Sequence, residues 1–196
     1  FLVSNHCSIT NNVAYHALEK LIYCVGNDNL IEGNSFLGRP VGSFTDAYRL
    51  MGNRNTLIAN YAINTNGGCQ ILNGAQNRVI NNTFINCKQV GVNINDDNSI
   101  GGRNLSHNEV IGNYIEGLRN TAFSGVQVVT SYSNVDFIKI EGNTIVGIDI
   151  TNGNGILVSN PNTFLMENTI IANNKIDNCY NGISTYKAKY SNINNN

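Results

Sequence analysis

Apolar and polar residues alternate along this chain in short runs, and one arrangement recurs from end to end: an apolar residue, two spacers, Asn, one spacer, a second apolar residue. The Asn positions are Asn12, Asn34, Asn60, Asn82, Asn113, Asn143 and Asn174. Three residues before them stand Ile9, Ile31, Leu57, Val79, Val110, Ile140 and Ile171. Two after them stand Ala14, Phe36, Ala62, Phe84, Ile115, Ile145 and Ile176. Four units carry a further Asn five residues earlier, at Asn29, Asn55, Asn77 and Asn108, and the residue just before the key Asn is always small or an amide, as at Gly33, Gly112 and Gly142. Between successive units lies a second short strand with period-2 alternation, often led by Gly: Val90 to Ile94, Gly125 to Val129, Gly155 to Val158 and Gly182 to Thr185.

The key Asn residues are 22, 26, 22, 31, 30 and 31 apart, so a unit of about 22 residues carries insertions at particular corners. Strands this short bury too little to stand alone. Stacked as parallel rungs they share one core of Ile, Val and Leu, and an Asn at the same turn of every rung can form an amide ladder. Glycine fits such corners where positive φ is needed. β-Branched density and Asn frequency disfavour helix, Val13 to Lys20 being the one stretch that reads as a short helical corner insertion. The expectation is a single all-β domain, a parallel solenoid of about seven to eight rungs, roughly 35 Å long at about 4.8 Å per rung.

Composition narrows the partners. Charged residues are 13% of the chain and the net charge is -1, which lacks the basic footprint of nucleic-acid or anionic-membrane binding. No apolar run reaches the roughly 18 residues of a membrane span. With 38 Asn among 196 residues, amides rather than charges carry the polarity of the surface. The five Cys residues show no metal-type spacing, and Cys24, Cys69, Cys87 and Cys179 fall at core-facing positions, so free thiols and folding in a reducing compartment are expected. His6, His16 and His107 have no partner at ligand spacing, so neither a metal nor a cofactor is assigned.

Units of the form Asn-x-Val-Ile-x-Asn-x-Phe, as at Asn77 to Phe84, followed by Gly-Val-x-Val, as at Gly125 to Val128, resemble the right-handed parallel β-helix of the pectin-lyase-like superfamily over essentially the whole chain. The resemblance implies a polysaccharide laid along the face of the stack. It does not carry over the known catalytic signatures. The Asp-Pro-His of the epimerases, the Gly-His-Gly and Arg-Ile-Lys of the polygalacturonases, and the Asp cluster of calcium-dependent pectate lyases are all missing. Reduced cysteines favour the bacteriophage tailspikes among these relatives. That implies a virion tail protein, assembled as a homotrimer in the host cytoplasm, that binds and in one reading cleaves bacterial surface polysaccharide. A non-catalytic spacer or adhesion module and a secreted lyase or epimerase stay open as alternatives.

The alternation places Arg49, Gln70, Asn93, Gln127, Leu157 and Ser184 outward on the Gly-led strands, a ledge whose amides and guanidinium suit sugar hydroxyls. Arg49, Gln70, Asn93 and Gln127, with Arg103, are the expected carbohydrate-binding residues. The long intervals put insertions beside this ledge, at Asn95 to His107, Thr130 to Asp136 and Ser159 to Glu167. The first holds Asp96 and Asp97, the expected catalytic pair, since glycoside hydrolysis uses two carboxyls about 5 to 9.5 Å apart. Phe1-Leu2-Val3 reads as a strand under way, and Asn196 falls on the next ladder position, 22 residues after Asn174. The chain is therefore expected to be a piece of a longer solenoid whose open end rungs are covered by flanking sequence or a partner.

Overall fold

A computed structural model describes residues 2–15, 20–38, 46–97, 104–118, 123–149, 151–162, 164–189 and 191–196. Every strand pairs in parallel with its counterpart one turn away, so the chain climbs as a solenoid of three main sheets with eight, eight and seven strands. One turn illustrates all of them: Val90–Asn95 in the first sheet, Asn108–Ile111 in the second and Tyr114–Gly117 in the third. From Asn12 to Asn174 the seven key Asn residues span six full turns. Partial rungs at either end complete the sheets, so the expected seven to eight rungs slightly overcount the turns. No helix occurs among the described residues, and none is long and apolar enough to cross a membrane. Val13–Tyr15, expected within a helical insertion, is instead a strand of the third sheet paired with Ser35–Leu37, because its Ala14 continues the core column onto Phe36. Residues 16–19 lie outside the described residues.

The repeat maps onto the core column by column. Leu57, Val79, Val110, Ile140 and Ile171 are register partners down the second sheet, and Phe36, Ala62, Phe84, Ile115, Ile145 and Ile176 down the third. Those between the end rungs are completely buried. Each fully buried Leu or Ile contributes about 1.5–3 kcal/mol relative to an exposed one, which is what ties such short strands together.

At the corner between the second and third sheets the Asn side chains form the expected ladder. Asn82 donates its backbone N–H and its Nδ2 to Asn113 Oδ1 at 2.9 and 3.0 Å, and Asn113 repeats both bonds to Asn143 Oδ1. The same pair of bonds runs from Asn12 through to Asn196. From Asn34 onward each amide also donates to a carbonyl of the preceding rung, as Asn113 Nδ2 does to Val79 O at 2.8 Å. The residue before each ladder Asn adopts positive φ, 65° at Gly112 and 52° at Asn81, which is why Gly and Asn dominate that position. A second ladder joins Asn29, Asn55, Asn77 and Asn108, and stops where Asn108 meets the apolar Ile138.

The leading glycines of the first sheet have a different cause from the corner glycines. A Cβ on Gly125 would lie 2.3 Å from Ile145 Cγ2 and 2.7 Å from Gly155 O, so close packing of the first sheet on the third excludes a side chain there. The insertions also build structure. Val135–Asp136, Met166–Glu167 and Ala188–Lys189 stack as a fourth, three-stranded parallel sheet. All five Cys are free; Cys24, Cys69 and Cys87 are buried, and burial pushes the Cys87 thiol up to about 12.

Candidate functional site

The outward residues of the first sheet stand in unbroken register. Arg49 pairs with Gln70, Gln70 with Asn93, Asn93 with Gln127, Gln127 with Leu157, and Leu157 with Ser184. One rung before Arg49 the same column continues to Tyr23, an aromatic side chain that the sequence reading left out. All seven are half-buried, lying along the face rather than projecting from it. Parallel strands repeat at about 4.8 Å, so these side chains form one continuous strip along the solenoid axis.

The strip changes character along its length. At the Tyr23 end, Arg49 Cζ and Lys20 Nζ each lie 5.7 Å from the Tyr23 ring centroid, and Arg49 reaches Asp46 at 3.3 Å. An aromatic face flanked by cations stacks well on a sugar and offers donors to its oxygens. Amides follow: Gln70 Nε2 donates to Asn95 Oδ1 at 2.9 Å, and Asn93 and Gln127 extend the row. The closest ion pairs lie elsewhere on the surface, between Arg78 and Glu109, Lys139 and Glu141, and Arg54 and Asp28. Arg54 holds the Asp28 carboxyl below its ordinary range through that hydrogen bond.

Asp96 and Asp97 follow the strip directly, and their side chains engage opposite neighbours along the stack. Asp96 is 6% exposed and accepts from Ser131 N at 2.7 Å, Tyr132 N at 3.0 Å and Ser133 Oγ at 2.7 Å. Thr130 Oγ1 sits 3.0 Å from the same carboxylate, sharing its proton with Ser133 O. Asp96 thus ties the turn 130–133 of the next rung and holds Tyr132, 41% exposed, at the edge of the strip. Asp97 turns the other way, to Asn73 of the rung before: its Oδ1 accepts from Asn73 Nδ2 at 3.4 Å and its backbone N–H donates to Asn73 Oδ1 at 3.0 Å. Arg103 lies outside the described residues.

Beside the fourth sheet is a cleft of about 400 Å³ lined by Asn104, Ser106, Asn134, Asp136, Leu165 and Glu167, with Asp136 and Glu167 as register partners. Sequence reading found the insertions but not their stacking, since two-residue strands leave no periodic signal. His6 is 4.0 Å from Asp28, and His107 stacks on Phe137 with ring centroids 5.6 Å apart. His16 lies outside the described residues. Among the described residues no three His, Cys, Asp or Glu side chains converge as a metal site would require.

The family model described as the right handed beta helix region matches residues 2–163. The chain belongs to this right handed beta helix family. The β-helix repeat runs past the matched segment, through Asn174 to Asn196 on the same ladder. No curated protein and no solved structure matches the chain significantly. A β-helix of this kind is compatible with polysaccharide binding or cleavage along its face.

Proposed function

We propose that this β-helix binds bacterial surface polysaccharide along the strip from Tyr23 to Gln127, as part of a bacteriophage tailspike or kindred fibre. The observation that carries the reading is the strip itself: one aromatic residue, one guanidinium and three amides in consecutive register on one outward face. Sugars offer hydroxyl donors and acceptors with apolar ring faces, and this row supplies the complementary groups in the same order of repeat. Free thiols, three of them buried, fit assembly in a reducing host cytoplasm, with action outside the cell once the virion is released. A homotrimer belongs to the same proposal.

Binding is favoured over cleavage by Asp96 and Asp97 acting together. Asp96 would first have to release three hydrogen bonds and a fourth shared one, and its partner acid points to the opposite rung. The test is an array of purified bacterial capsules and O-antigens, with reducing-end release measured on every glycan bound. Wild type should bind at least one glycan without releasing ends, and Tyr23→Ala with Arg49→Ala should abolish binding. Release that disappears in Asp97→Asn would assign cleavage to the loop, and absence of any bound glycan would sink the proposal.

A further inference from the structure

We infer that Arg49, Gln70 and Asn93 are the specificity-reading residues of the strip, held with one polar atom each unsatisfied until a ligand pairs it. The inference rests on the carbohydrate-binding reading given above. Among the described residues six side-chain nitrogen or oxygen atoms are buried without a hydrogen-bond partner. Three of them, Arg49 Nε, Gln70 Oε1 and Asn93 Oδ1, fall on three consecutive positions of one outward column. Everywhere along the main ladder the chain satisfies its buried amides completely, each Asn bonding both the rung ahead and the rung behind. The other three, Ser124 Oγ, Thr169 Oγ1 and Ser191 Oγ, are isolated hydroxyls, so the strip is where unsatisfied groups fall in consecutive register, and such a concentration points to function.

The atoms also carry a code. Gln70 is oriented by its Nε2, which donates to Asn95 Oδ1, so its oxygen is the atom left over. Arg49 uses a terminal guanidinium nitrogen on Asp46 and leaves its Nε–H. One donor is therefore followed by two acceptors, at a spacing of about 4.8 Å along the axis. The complementary ligand presents an acceptor oxygen at the Arg49 rung and hydroxyl or amide donors at the next two, as an extended polysaccharide running along the axis does. The three atoms face away from solvent in the free protein, so binding requires each side chain to rotate about its outer χ angles and lift the atom toward the sugar. A site that depends on such pairing rejects a glycan lacking the matching group far more strongly than an apolar pocket does.

This makes the strip costly to the free protein, and the experiment reads that cost. Asn93→Leu removes its unsatisfied oxygen at similar volume and should raise Tm by roughly 2–4 °C in a chain of this size; Gln70→Met removes the other oxygen but also the bond to Asn95 Oδ1, so its Tm should rise less. Gln127→Met, in the same column without an unsatisfied atom, should leave Tm unmoved. A Tm that fails to rise in Asn93→Leu overturns the inference. The double variant and wild type are then applied to the same array of purified bacterial capsules and O-antigens. A tenfold or greater loss of binding in the double variant supports the inference. Equal binding by both overturns it while leaving the binding strip in place. Absence of any binding by wild type, with Tm raised as expected, instead removes the carbohydrate reading and the inference with it.

Discussion

At the residue scale the ladder Asn is the most constrained position in the molecule. Asn113 accepts two bonds from Asn82 and donates to Val79 O and Asn143 Oδ1, all buried. Replacing it by Leu leaves the Asn82 N–H and the Val79 carbonyl without partners, at about 1–3 kcal/mol each, so Asn113→Leu should cost about 2–6 kcal/mol in thermal or denaturant unfolding. Asn12→Ala should cost under about 1.5 kcal/mol, because Asn12 is solvent-exposed and, among the described residues, accepts no ladder bond. Equal costs at the two positions would mean that the ladder is not what holds the corners. This position was legible from sequence because its flanking apolar residues repeat independently of the Asn content. The role of Asp96 was not legible. Its partners lie 34 to 37 residues ahead, in an insertion without periodicity, and nothing in an isolated Asp-Asp pair signals that one member is buried.

At the element scale, the period-2 alternation of the Gly-led strands placed Arg49, Gln70, Asn93, Gln127, Leu157 and Ser184 in one outward column, and that column is present in full. Tyr23 stood outside that reading: its strand, Ile22–Val25, is only four residues long and its register with Arg49 shows in the sheet pairing. The glycines themselves were visible, but their reason was not: contact between Gly125 and Ile145 is a property of two packed sheets. The turn 130–133 is an element whose stability the structure makes testable. Its backbone N–H groups and hydroxyls converge on the Asp96 carboxylate, and an Asn there would point an NH₂ group at donors. Asp96→Asn should therefore lower stability by about 2–4 kcal/mol, since hydrogen bonds to a charged acceptor are worth about 1.5–3 kcal/mol each. Unchanged stability in Asp96→Asn would show the carboxylate to be free for another role.

At the scale of the whole molecule, each rung touches only its neighbours, so stability is a sum of rung and interface contributions and the face presented to solvent is a linear array. Such a face suits a linear polymer better than a compact ligand, which is why the strip, rather than any one residue in it, carries the functional account. The most direct measurement of that account is hydroxyl-radical footprinting of the chain with and without a polysaccharide found to bind on the array. Tyr23 and Met51, whose hydroxyl and sulfur meet at 2.7 Å beside Arg49, should be protected by the bound glycan. Tyr61 and Tyr114, outward on the third sheet, should oxidise equally in both states. Protection of Tyr61 and Tyr114 with Tyr23 and Met51 unchanged would contradict the account and place the ligand on another face of the solenoid.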